Sequence, residues 1–180
     1  EKIISASNIR EKLKNNIDIK KYIPDSVYPK IININTDTYF KLLKAKIITD
    51  EDLDTYLDVD EGIEYRLKKY INNATSIDEF MNLIKTKRYT YNKLNRMFIH
   101  ILIGIKKIDA KENLDYIKIL GFNKKGRKYI QSIKENLQIP TKVNKDSKIF
   151  NYELKASLMY DLINNTDTYL YEIKNKPENK

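Results

Sequence analysis

The chain has 180 residues, of which 41% are hydrophobic and 33% charged, which suits one globular domain with a short appendage and excludes a wholly disordered segment. It has no cysteine, so disulfide frameworks and thiolate metal sites are out, and 4 Gly and 4 Pro argue against a Gly-rich phosphate loop or a turn-rich β architecture. The formal charge of +9 is pooled: residues 81–130 hold 13 Lys and Arg against 3 Asp and Glu, while the other segments hold 21 against 22. A concentrated basic field calls for a polyanionic partner, RNA first. No apolar run approaches the roughly 18 residues that span a bilayer, and Glu1-Lys2-Ile3-Ile4-Ser5 is not a signal peptide. The expectation is a cytoplasmic protein without membrane partners. A first residue other than Met suggests a piece of a longer chain.

Helical periodicity dominates the pattern. Ser5 or Ser7 caps a short helix through Ile9 and Leu13 to Lys14, ended by Asn15-Asn16. Pro24 and Pro29 mark an irregular connector and the best domain boundary. Asp37 is expected to cap a helix with Phe40, Leu43 and Ala45 on one face. Thr49-Asp50-Glu51-Asp52 has a capping pattern, and a helix over about 61–72 buries Ile63, Leu67 and Tyr70 or Ile71. Ser76-Ile77-Asp78-Glu79 is a capping box for a helix with Ile77, Phe80, Met81 and Ile84 inward. Thr90 caps a central helix with Tyr91, Leu94, Phe98, Ile101, Leu102 and Ile105 at helical spacing, widened by Ile99 and Ile103.

The pattern changes after Asn113. Residues 116–122 read as a strand, 124–136 as a helix with Tyr129, Ile130 and Ile133 inward, and 139–143 as a second strand at an edge, because of Pro140. That unit predicts a parallel pair with a right-handed crossover. A last helix covers 151–164, and the chain frays from Asn175. The fold class is therefore mainly α, a helical domain with a small strand–helix–strand element. The expected domains are 1–24, 25–174 and a flexible tail, 175–180.

The candidate interface is the stretch from Lys85 to Arg96, which lies in an acid-free interval between Glu79 and Asp109. Lys87, Arg88 and Tyr89 lie near a helix start whose free N–H groups also attract phosphate. Lys93, Arg96 and His100 share a helix face. Lys supplies a mobile point charge, Arg forks onto phosphate, and Tyr89 or Tyr91 can stack on an unpaired base. Against this stands the plain reading of a solvated loop and a hydrated helix face. Lys124, Lys125, Arg127 and Lys128 form a second cluster at a helix start, equally readable as a polar turn. The acidic run from Asp50 to Glu64 lacks EF-hand spacing and reads as helix-start acids on a surface that repels misplaced RNA. His100, the sole histidine, reads as a structural residue and excludes a His-pair metal site. No catalytic set is assignable from spacing, and no metal site is expected. Ser5, Ser7 and Arg10 surround a helix start fit for nucleotide phosphates, although simple helix capping is the plainer reading.

Ile4 to Arg10, ISASNIR, resembles the ISxTxIR motif that closes HxGH-type nucleotidyltransferase domains. The segments Asp60 to Leu67, Ile84 to Tyr91, His100 to Gly104 and Leu120 to Gly126 follow in order. With them the chain resembles the C-terminal half of the bacterial tRNA(Met) cytidine acetate ligases. The resemblance implies a parent enzyme that activates acetate with ATP and magnesium and acetylates the wobble cytidine of tRNA. The N-terminal catalytic domain of that protein would be a partner of this helical part. Ser5, Ser7 and Arg10 map onto the nucleotide motif, with Ser7 where Thr is usual. With no HxGH, this chain is expected to hold tRNA without catalysis or cofactors of its own. The other reading is a protein-interaction or scaffold domain whose basic face docks an acidic partner or the missing catalytic domain.

Overall fold

The computed structural model describes residues 5–28, 34–111, 118–133, 147–174 and 178–179. It divides into two compact units, Glu1–Asn35 and Thr36–Lys180. In the first unit Ser5 caps α1 (Ala6–Lys14), its hydroxyl accepting from the Asn8 N–H at 3.3 Å. Asn16 ends the helix at φ +54°, the left-handed conformation that Asn tolerates better than most side chains. A 3₁₀ turn follows at Lys20–Tyr22, where the Lys12 and Lys21 ammonium groups lie over the Tyr22 ring.

The second unit is a helical bundle: α2 (Thr36–Thr49), α3 (Ile63–Tyr70), α4 (Ile77–Ile84), α5 (Tyr91–Ile103), α6 (Lys124–Ile133), α7 (Lys148–Asn164) and α8 (Thr168–Lys174). Its core joins Phe40, Leu43 and Ile47 of α2, Leu67 of α3, Phe80 and Ile84 of α4, and Leu94, Met97, Phe98 and Ile101 of α5. Three aromatic rings tie the helices: Phe80 lies 6.1 Å from Phe40 and stacks 5.6 Å from Phe98. Two caps follow the sequence reading. Ser76 accepts from the Glu79 N–H at 3.2 Å and Thr90 from the Lys93 N–H at 3.5 Å. Glu79 turns to Thr75, accepting from its N–H and its hydroxyl, both at 2.7 Å, which lowers the Glu79 pKa.

Several details differ from expectation. α2 already begins at Thr36, so Asp37 sits in its first turn. Thr49 ends α2 instead of opening another helix. Asp50 accepts from the Asp52 N–H, the Tyr56 hydroxyl and Lys46, and a 3₁₀ turn follows at Leu53–Thr55. On α5, Met97 is buried where Ile99 faces solvent: at 3.6 residues per turn, position 97 shares the face of 94 and 101 while 99 lies opposite. Tyr129, expected inward, is 65% exposed.

Of the predicted strand 116–122 only β1 (Gly121–Phe122) forms among the described residues, and residues 139–143 lie outside them. The parallel partner of β1 is β2 (Glu178–Asn179), from the segment expected to fray. Two residue pairs make a short ladder, and the unit is mainly α. α7 begins at Lys148, three residues before its expected start, capped by the buried Ser147.

The α7–α8 corner has its own anchor. Asp161 accepts from the Thr166 hydroxyl at 2.6 Å, from the Thr168 hydroxyl and N–H, and from the Tyr169 N–H at 2.8 Å. Burial pushes this carboxyl up, but those donors outweigh it and hold the pKa at about 2. A depressed carboxylate stabilises the fold above its ordinary pKa near 4, and that contribution is lost as pH falls toward 2. Asp161→Ala should therefore cost about 2 kcal/mol at neutral pH. The gap from the parent chain should close between roughly pH 4 and pH 2, as urea unfolding across that range will read.

Candidate nucleic-acid interface

The basic stretch is built by two helix ends. α4 stops at Lys85 and Thr90 starts α5, so residues 85–90 form a turn braced by the Thr86 N–H on the Tyr89 carbonyl at 3.2 Å. Facing it is a turn from Asp58 to Gly62 that enters α3. Asp58, Glu61 and Gly62 there have φ of +67°, +54° and +78°. Left-handed backbone is costly for Glu and easiest for Gly, so the contacts of this turn must hold its shape.

Those contacts come from the basic stretch itself. Arg88 pairs with Glu61 at 2.5 Å, Arg96 with Asp58 at 2.7 Å, and Lys107 with Asp60 at 2.9 Å. His100 Nδ1 lies 3.2 Å from Asp58 and 3.3 Å from the Leu57 carbonyl; both are acceptors, so Nδ1 carries the proton. Tyr89 is the clamp: its hydroxyl donates to the Asp60 carbonyl at 2.6 Å and accepts from the Asp60 N–H at 3.3 Å. The acidic run therefore does not stand apart as a repelling surface. Its last members neutralise two of the arginines expected to meet phosphate. His100 is structural, as the sequence suggested.

Tyr89 is 4% exposed, with the Lys93 ammonium 4.1 Å from its ring centroid, so it is closed to a base. Burial pushes its phenol pKa up. Removing its hydroxyl should loosen the turn at little cost in packing: Tyr89→Phe is expected to lose about 1 kcal/mol by urea unfolding, since the Asp60 N–H gives up its side-chain partner while the Asp60 carbonyl keeps the Ile63 N–H. Tyr91 remains partly exposed, its hydroxyl on Asn82 at 2.6 Å and Lys85 4.1 Å from its ring centroid. Lys87 is exposed and, among the described residues, has no ion-pair partner.

Lys124, Lys125, Arg127 and Lys128 sit in the first half of α6, all exposed and, among the described residues, without a carboxylate partner. Asn123 closes the helix start by accepting from the Gly126 N–H at 2.9 Å. In the first unit, Ser5 is used as the cap, while Ser7 and Arg10, one turn apart on α1, are exposed.

Three residues escaped the sequence reading. Arg66 of α3 donates to the Leu83 carbonyl at 2.7 Å and lies over the Tyr70 ring. Tyr65 of α3 is 76% exposed. Lys107 closes the acidic turn from the far side. Asp60-Glu61-Gly62 carried a signal for that turn, because a Gly just before a helical run favours the left-handed backbone that a turn into a helix needs. Among the described residues no group of three His, Cys, Asp or Glu can hold a metal ion, and no helix is long and apolar enough to cross a membrane.

With this geometry in view, the family described as HIGH nucleotidyl transferase matches residues 1–175, and the chain belongs to that family. More particularly, it is similar to the tRNA(Met) cytidine acetate ligases of Anoxybacillus flavithermus, 33% identical over 180 residues, and of a Geobacillus species, 38% identical over 181 residues. Each match covers 89% of this chain and 45% of the relative, so the chain spans about half the length of the relatives it matches. Among solved structures it resembles Thermotoga maritima TmcAL without ligand (TM-score 0.76, 17% identity, 98% of this chain and 51% of that one). It also resembles the same protein bound with alpha-thio ATP (TM-score 0.74, 17% identity, 98% of this chain and 52% of that one). At that identity the likeness is one of fold.

Proposed function

We propose that this chain is the tRNA-holding, C-terminal part of an ATP-dependent tRNA(Met) cytidine acetate ligase of the cytoplasm. The carrying observation is the exposed start of α6, where four cations stand without a carboxylate partner among the described residues. Lys85, Lys87 and Lys93 add cations with no described carboxylate of their own, while Arg88 and Arg96 add theirs by exchanging one anion for another. An exposed ion pair such as Arg88–Glu61 contributes little net stability because water screens it, so a phosphate that meets the same guanidinium offsets its loss. Asp58 and Glu61 then hold the two arginines extended until RNA arrives.

In this reading residues 1–24 are the end of a nucleotidyltransferase-like domain, 25–174 hold tRNA, and ATP, magnesium and acetate belong to the larger protein's catalytic domain. Ser7 and Arg10 are free to face a nucleotide there, whereas the Ser5 hydroxyl is already committed to α1. The single histidine leaves no HxGH pair within these 180 residues, in keeping with a chain that is not catalytic by itself. The test is filter binding of tRNA at low salt, followed by the same titration with Lys124→Ala/Lys125→Ala. Retention that weakens in the variant supports the proposal, and absence of retention by the parent chain removes it. Because the arginines already accept carboxylates, docking of an acidic protein is the second reading. Polyglutamate that displaces tRNA as well as excess tRNA does would favour it.

A further inference from the structure

Between the start of α3 and the 86–89 turn lies a cleft of about 360 Å³, flanked by Gly62, Arg66, Lys87 and Arg88. Its volume stands near the lower end of the roughly 300–1,000 Å³ that small-ligand sites occupy, which is room for one nucleotide rather than for a folded helix. The walls favour an anion for three separate reasons. Lys87 has no ion-pair partner among the described residues. The Arg66 charge is met by a carbonyl and a ring, and its Nε is buried with no hydrogen-bond partner among the described residues. α3, eight residues long, begins at Gly62 with no side chain capping its first N–H groups.

The present occupant of the positive wall is Glu61, whose carboxylate also lines the cleft and holds Arg88. Both partners are well exposed, 74% and 51% by side chain. Water can therefore take over the carboxylate when it leaves, and the exchange is cheap. On the rim stands Tyr65. A Cβ at Gly62, which lines the cleft, would lie 3.7 Å from the Tyr65 ring, so the ring stands next to that lining residue, and its 76% exposure leaves it open to solvent. An aromatic face beside a cation-lined cleft is the pairing by which single-stranded nucleic acids are held: the phosphate on the cations, the base on the ring.

We infer that this cleft is a subsite for one unpaired RNA nucleotide, its phosphate displacing Glu61 from Arg88 and reaching Lys87, its base stacked on Tyr65. This rests on the RNA-holding reading above and deepens it, replacing Tyr89 and Tyr91 by Tyr65 as the stacking residue. The 180-residue chain and its variants should be titrated against a labelled oligouridylate and against a blunt RNA duplex, by fluorescence anisotropy. Tyr65→Ala should weaken the oligouridylate about tenfold and leave the duplex unchanged, while Tyr65→Phe binds as the parent does. Glu61→Gln should tighten the oligouridylate, and Lys87→Ala should lower its salt slope by about one phosphate. Tyr65 is exposed, so an unaltered melting temperature is expected and the readout is binding alone. Equal oligouridylate affinity in Tyr65→Ala, or an equal loss on the duplex, overturns the subsite while the broader reading stands. A parent chain that binds neither RNA removes both.

Discussion

Raising the salt from 50 to 200 mM is expected to weaken tRNA binding to this chain roughly a thousandfold, given about six engaged phosphates. Lys124, Lys125, Arg127 and Lys128 of α6, with Lys85 and Lys87 before α5, supply six cations that no described carboxylate neutralises. Each frees condensed counterions from RNA when it meets a phosphate. Arg88 and Arg96 differ, because each releases a carboxylate that gathers its own counterion, so the net ion release is smaller. The two classes should separate in a plot of log affinity against log salt. Lys124→Ala/Lys125→Ala should reduce the slope by close to two, and Arg88→Ala/Arg96→Ala by clearly less. A flat plot for the parent chain would place the polyanion elsewhere. Equal slope losses would mean that the Asp58 and Glu61 pairs do not persist in solution.

What could be read beforehand follows from the range of the interactions concerned. Ser76, Thr90 and Ser5 were legible as caps because a cap depends on three or four neighbouring residues. The apolar faces of α4 and α5 were legible because burial repeats with the helical period. Ion pairing between residues 58–61 and 88–107 was not legible. It joins segments roughly 30 to 50 residues apart, and local composition reports that charge is pooled without reporting what it faces. The same distance concealed β2, since nothing in Glu178-Asn179 announces a strand without Gly121-Phe122 beside it. Aromatic exposure was concealed for a related reason: Tyr89 and Tyr91 both sit among cations in sequence, but the 86–89 turn folds Tyr89 inward onto Asp60 and leaves Tyr91 41% exposed, while Tyr65, in a less basic stretch, faces solvent.

The largest expected effect on stability belongs to Phe80. Its ring has no exposed surface and stands between Phe40 and Phe98, so α2, α4 and α5 meet at one side chain. Phe80→Ala should cost about 3–5 kcal/mol, the transfer term for a ring plus the cavity it leaves. That is a large share of the roughly 5–15 kcal/mol that holds a domain together. The urea midpoint should fall with the slope of the transition unchanged, since the surface exposed on unfolding is nearly the same. Phe80→Leu should lose less than half as much, because most of the volume stays filled. The site should follow the core. Lys85 ends the helix that Phe80 anchors, and Thr90 opens the helix on which Phe98 sits, so loosening that stack frees the 85–90 turn. Under conditions where Phe80→Ala remains folded, its tRNA affinity should drop while the α6 cations still set the salt slope. A stability loss below about 1 kcal/mol would show that the three rings do not carry the packing assigned to them.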